Sequence, residues 1–351
     1  MSRIIRMRSG TRVAALPCRW HAAIFQWFAI ALLCAVPGMP LLPARASGGE
    51  PARDLTFYVV SDTHYGLSPE GDKTLPLLVD KMNQLPGTAY PDAIGGTVAK
   101  PRGVVHLGDA TNDGKKEQWA MFVRDYGLTG KDGRLHWPVY EAYGNHDGGP
   151  KTPVRDGIRE RNPQRVGLTA ISGNGLHYCW NWDGILFVNL GIAPGSTTRP
   201  YDPEYSMEFL EEVLAKHAQP GQPLILMHHF GFDKGHSLNW WPEERRTRYL
   251  ELIKDRNVIA ILHGHAHQPF IYQWEGIDIY HPPHFKQKDP KKNDGPVSHG
   301  FFVFRLTADE LTVAERKTDD TWGMTSRKKF QAGPVTTTPA TPTTRPKPSL
   351  P

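Results

Sequence analysis

Apolar runs of strand length alternate with stretches of helical spacing along most of the chain. Leu55–Ser61 is a continuous apolar and β-branched run and reads as a buried strand. Leu75, Leu78, Met82 and Leu85 follow at helical spacing, with Pro76 tolerable only near the helix start. Val104–Leu107 predicts a second strand, Trp119–Val123 a helical segment and Val139–Tyr143 a third strand. His177–Trp182 and Ile185–Leu190 flank Asp183-Gly184, a strong hairpin signal. Asp202-Pro203 opens a predicted helix carrying Met207, Leu210 and Leu214 on one face. A strand at Leu224–Met227, a helix over Pro242–Arg256 and a strand at Val258–Leu262 come next. Four further strands are predicted at Phe270–Trp274, Ile277–Tyr280, Phe301–Leu306 and Leu311–Ala314. Early strand–helix alternation with hairpins in the middle and at the end predicts a mixed α/β sandwich rather than a purely parallel sheet.

The two ends differ from this body. Residues 1–46 carry six arginines and no acid, and five of the arginines precede the apolar stretch Ala22 to Val36. Pro37 and Gly38 break that stretch, and Ala44-Arg45-Ala46 offers a small-x-small cleavage pattern, so a signal peptide over 1–46 is expected. An uncleaved membrane anchor is the competing reading, for which the apolar run is short. Cleavage would change the formal charge from +5 to −1 and remove Cys18 and Cys34, leaving Cys179 without an internal disulfide partner. The pI near 9.0 therefore does not imply a nucleic-acid partner. At the other end, residues 331–351 form a proline- and threonine-rich tail expected to be extended. The folded unit is expected over 50–330. With 39% hydrophobic and 22% charged residues, the chain is neither disordered, collagen-like nor multi-span.

Candidate chemistry collects after the strands. Ser61-Asp62-Thr63-His64, Gly108-Asp109, Gly144-Asn145-His146-Asp147, His228-His229 and His263-Gly264-His265-Ala266-His267 each follow one. The crevice beyond the carboxyl ends of strands is where α/β sheets bind ligands. Mixed oxygen and nitrogen donors suit manganese, iron or zinc better than calcium or magnesium. Each motif alone is a common turn; five in this order are not.

Together, Asp62-x-His64, Gly108-Asp109, Gly144-Asn145-His146-Asp147, His228 and Gly264-His265-x-His267 resemble the motif set of calcineurin-like metallophosphoesterases. The resemblance implies a four-layer αββα sandwich of two mixed sheets with a dinuclear metal site at the strand C-terminal edge. It implies that Asp62, His64 and His267 hold one ion, that Asn145, His228 and His265 hold the other, and that Asp109 bridges. His146 would face the substrate without being a ligand. Adjacent strand residues point to opposite faces, so only one of His228 and His229 is expected to ligate. The family's ligand stands two residues before a position that is often proline, here Phe230, which selects His228.

The implied activity is hydrolysis of a phosphate mono- or diester by a hydroxide bridging two ions about 3.5–4 Å apart. Ala110-Thr111-Asn112-Asp113 lacks the metal-binding tyrosine of purple acid phosphatases, and Asn112 is expected to be structural. The substrate is expected to be a small phosphate ester in an exported protein. A non-catalytic binding scaffold is the alternative, and a nuclease fits poorly with the near-neutral mature charge.

Several residues keep two readings. Trp240-Trp241 and His236 either line the entrance or anchor the helix at Pro242. His281, His284 and His299 lie in late segments that could approach the site. Lys286, Lys288, Lys291 and Lys292 either contact an acidic substrate or form a solvated face, the commoner role of a lysine-rich loop. His106, His263, Trp180 and Trp182 read as packed residues. Asp147 would orient either the His146 ring or the turn.

Overall fold

The computed structural model describes residues 53–197, 203–232, 237, 240–284 and 299–333. The signal peptide, Asp202, His236, the four lysines from Lys286 to Lys292 and the tail from 334 onward lie outside the described residues. Among the described residues, no helix is long and apolar enough to cross a membrane.

Two mixed sheets pack face to face. The first runs β1 (Leu55–Val60), β2 (Val104–His106) and β3 (Val139–Glu141) in parallel. Antiparallel β11 (Gly300–Leu306), β12 (Glu310–Lys317) and β13 (Trp322–Lys329) extend it from β1. The second has the order β4 (Leu168–Ile171), β5 (Tyr178–Trp182), β6 (Ile185–Asn189), β7 (Leu224–Met227), β8 (Val258–Leu262), β10 (Ile277–His281) and β9 (Phe270–Trp274). Its centre, from β6 through β7 and β8 to β10, is parallel.

The faces between the sheets share one apolar core, with Phe57, Val59, Val105 and Leu107 meeting Trp180, Phe187, Ile225 and Met227. Trp180 stacks on Phe187 and Tyr140, as its strand position predicts. Helices cover the outer faces. α1 (Pro69–Gln84) and α2 (Lys116–Tyr126) bury Leu78, Met82, Phe122 and Tyr126; α4 (Ser206–Lys216) and α5 (Glu243–Ile253) bury Leu210, Val213, Tyr249 and Ile253. This is a four-layer αββα sandwich.

Local details follow from local chemistry. Asp183 and Gly184 both take positive φ (50° and 82°), the conformation a two-residue hairpin between β5 and β6 requires. α1 starts earlier than expected: Ser68 caps it by accepting from the Gly71 amide, and Pro76 lies inside the helix. α3 (Pro153–Arg161), β4 and β13 stand where the sequence pattern predicted none.

A candidate metal centre where both sheets end

The carboxyl ends of β1, β2, β3, β7 and β8 converge on one buried cluster. Asp62, His64, Asp109 and His267 place donor atoms within 4.8 Å of one another, and so do Asp109, His229 and His265. Asp109 belongs to both groups. Its Oδ1 accepts the His146 amide at 2.8 Å, while Oδ2 lies 3.2 Å from His229 Nε2 and 3.7 Å from His64 Nε2. Asn145 Oδ1 sits 3.1 Å from His229 Nε2, on the second group's side. His267 Nε2 is 3.2 Å from both Asp62 Oδ1 and His64 Nε2.

The turns that aim these groups are strained. Asp62, His64, Asp109, His265 and His267 all adopt positive φ, between 48° and 78°, a cost of about 1–3 kcal/mol each for non-glycine residues. The motif glycines permit the crowding. A Cβ on Gly144 would lie 2.2 Å from Asp109 Oδ1, and one on Gly264 would lie 2.1 Å from Ser61 Oγ. Asp147 serves the turn and not the His146 ring: it accepts from the amides of Gly144, Ala110 and Thr111 and from the Thr111 hydroxyl. Burial and the neighbouring Asp109 charge still push its carboxyl up to about 6.

The expected ligand His228 is not in the cluster; its neighbour His229 is. Along β7, Leu224 and Leu226 pack with the helix-side core and Ile225 and Met227 with the inter-sheet core. His228 continues the first parity, and its ring lies edge-on to Trp241 and Tyr249. Its Nδ1 donates to Phe230 O, and burial depresses its pKa to about 3. His229 continues the second parity and enters the crevice. Its Nδ1 donates to Leu107 O at 2.8 Å, so Nε2 faces Asp109. Parity with Met227, legible in the sequence, points to His229, whereas the spacing to Phe230 points to His228.

His146 stands beside this cluster, its ring 4.6 Å from that of His64. Its Nδ1 lies 2.8 Å from Asn112 O, a carbonyl that can only accept, so Nδ1 carries the hydrogen. Asn112 thus serves through its backbone.

Electrostatically, the cluster is arranged for cations. Burial opposes ionisation of Asp62 and Asp109, yet His267 and His229 respectively, with other imidazoles, hold both carboxyls well below the usual range. Burial keeps His64 and His265 neutral, His265 with a pKa of about 4. Burial also disfavours charged His229, but Asp109 wins and raises it to about 9. A cation bound here would replace that proton. The ring nitrogens of His64 and His267, facing each other at 3.2 Å, suit a shared ion.

The late histidines divide. His281 Nε2 accepts the Ala266 amide at 3.0 Å, and its Nδ1 donates to Pro282 O at 2.8 Å, so it supports the turn between His265 and His267. His284 stacks on His267, with ring centroids 5.1 Å apart, and His299 lies behind His284. His106 and His263 are buried, as expected. The tryptophan pair splits: Trp241 is buried and donates to Pro194 O, whereas Trp240 is half-exposed.

The sequence profile of the calcineurin-like phosphoesterase family matches residues 55–269, and the chain belongs to that family. No curated protein matches it significantly. Among solved structures it is similar to a dimetal phosphatase from Danio rerio, at 13% identity over 79% of this chain and 99% of that one, with a TM-score of 0.50. It is also similar to GAP50, the anchor in the inner membrane complex of Plasmodium (14% identity, 81% and 90% covered, TM-score 0.49). A third is Vps29 complexed with zinc from Entamoeba histolytica (12% identity, 79% and 99% covered, TM-score 0.37). The likeness to the Danio rerio structure shows the fold alone.

Proposed function

We propose that the chain is an exported, metal-dependent hydrolase of small phosphate mono- or diesters. The observation that carries this reading is Asp109, one carboxylate shared by two donor groups. Asp62, His64, Asp109 and His267 would hold one ion; Asp109, Asn145, His229 and His265 would hold the other. Manganese, iron or zinc suits these mixed donors. When bound, such a pair supplies Lewis acidity toward phosphoryl oxygens and a strongly acidified water, so no protein nucleophile is needed.

The chain's own residues do the rest. Asp109 Oδ2 lies between both halves because the His146 amide occupies Oδ1. Leu107 O fixes the His229 ring so that Nε2 points inward. With Nδ1–H committed to Asn112 O, His146 can give a proton from Nε2 to the departing oxygen only as an imidazolium. His146→Ala should keep the metals, lose activity severely on alkyl phosphoesters and lose less on nitrophenyl esters, whose leaving group needs little help. Metal loss in this variant would make His146 a ligand and defeat the assignment.

Export rests on the arginine-rich, apolar N-terminus ending at Ala46, and the resulting charge of −1 disfavours nucleic acid as substrate. The direct test of function is hydrolysis of chromogenic mono- and diesters by chelator-treated protein reconstituted with manganese, iron or zinc. Restored turnover supports the reading; no turnover with any ion contradicts it. Mass analysis of exported protein should show a chain beginning at Ser47, and retention of residues 1–46 would contradict cleavage.

A further inference from the structure

Trp240 sits at the mouth of the metal cluster without being part of it. The residue is 51% exposed, while the adjacent Trp241 is fully buried against His228 and Tyr249. Five large hydrophobic side chains are exposed among the described residues: Leu77, Val166, Tyr205, Trp240 and Phe270. Of these, Trp240 is the one in ring contact with a candidate ligand, 6.2 Å from the His265 ring between centroids. Phe230 lies 6.1 Å from Trp240 and 4.8 Å from His265, forming the floor between them.

The backbone under this indole is fixed. Buried Ser237 accepts the amides of both Trp240 and Trp241 through its carbonyl, each at 3.0 Å. Its hydroxyl accepts the Gly231 amide at 2.9 Å, tying the segment to the end of β7. An exposed indole on a pinned backbone gives a ligand a flat apolar face at little ordering cost.

We infer that Trp240 is a stacking platform for the alcohol portion of the substrate, and that the preferred esters carry a planar aromatic ring close to the phosphate. This rests on the phosphoester reading, because the platform is defined by its distance from His265. A ring bound through the phosphate at the metals would reach Trp240 across Phe230. An aliphatic group of similar size would touch the same wall without the stacking gain. Stacking of this kind corresponds to roughly a 10-fold change in affinity.

Non-hydrolysable phosphonates separate this inference from turnover. Binding of benzylphosphonate and butylphosphonate to the manganese-loaded protein would be measured by calorimetry, in parallel with Trp240→Ala and Trp240→Phe. The expected result is a roughly 10-fold preference for the benzyl compound, lost in Trp240→Ala and largely kept in Trp240→Phe, with butylphosphonate binding changed far less. A second pair, the non-hydrolysable 5′-methylenephosphonate analogues of adenosine 5′-monophosphate and of ribose 5-phosphate, tells a nucleobase from a simple aryl ring; a Trp240-dependent gain in either pair supports the platform. Equal affinities within both pairs, or a preference that survives Trp240→Ala, would overturn it while leaving the phosphoester reading intact. Failure of every phosphonate to bind would contradict the phosphoester reading itself and this inference with it.

Discussion

His228 and His229 occupy neighbouring positions with opposite environments, and their variants should behave differently. His229→Ala removes a side chain facing Asp109 Oδ2 at 3.2 Å and should abolish metal-dependent turnover and lower metal content. His228→Ala opens a hole among Trp241, Tyr249 and Phe232. It should keep metal stoichiometry while costing on the order of 2 kcal/mol in urea unfolding. Elemental analysis of both proteins decides the matter, and metal loss in His228→Ala alone would reverse the assignment. His281 acts at one remove. Its Nε2 must be an acceptor to hold the Ala266 amide, so His281→Ala should weaken metal affinity and His281→Gln, which offers an oxygen there, should recover most of it. Equal affinity in all three proteins would leave His281 a packing residue. The strand-end aspartates and the Gly-His-x-His turn were legible in sequence because each stands directly after an apolar run. The His281–Ala266 contact was not, since it joins positions brought together only by the pairing of β8 with β10.

The elements that sequence patterning missed each present a weak apolar signal. α3 buries Val154 and Ile158 but also Arg155, so its apolar stripe is interrupted. β4 is only half-buried, and β13 is an edge strand in which polar residues take turns at partial burial. A buried charge cluster joins α3 to the first sheet. Glu141 on β3 pairs with Arg161 Nε at 2.8 Å and with Arg165, whose guanidinium lies over Tyr178. Burial works against its charge, but the two arginines hold its carboxyl below the ordinary value. Glu141→Gln leaves both arginines without their counter-charge and should cost about 3–5 kcal/mol, read from urea unfolding. A neutral result would show that solvent already screens the pair. Buried His177 sets an acid limit. Burial lowers His177 to about 4, so the folded state excludes a proton that the unfolded chain binds below about 6.5. Stability should therefore fall as pH drops from about 6.5 to about 4, and the Glu141 contribution should vanish on further acidification. His177→Gln should flatten the upper part of that profile in urea titrations; an unchanged slope would assign the loss to other groups.

At the scale of the whole molecule, the site exists because two sheets end at the same place. Asp62, Asp109 and Asn145 come from the first sheet's strands, and His229, His265 and His267 from the second's. The His229–Leu107 hydrogen bond ties the two sheets beside the cluster. Asp109 is the group common to both donor sets, so Asp109→Ala should remove more than one ion: the remaining cations would be under-coordinated and close enough to repel. The most direct measurement is anomalous diffraction from crystals of the protein grown with manganese. Two anomalous peaks flanking Asp109 Oδ2 are predicted, one contacted by Asp62, His64 and His267 and the other by Asn145, His229 and His265. A single peak, no peak, or a peak coordinated by His228 would contradict the proposed dinuclear centre.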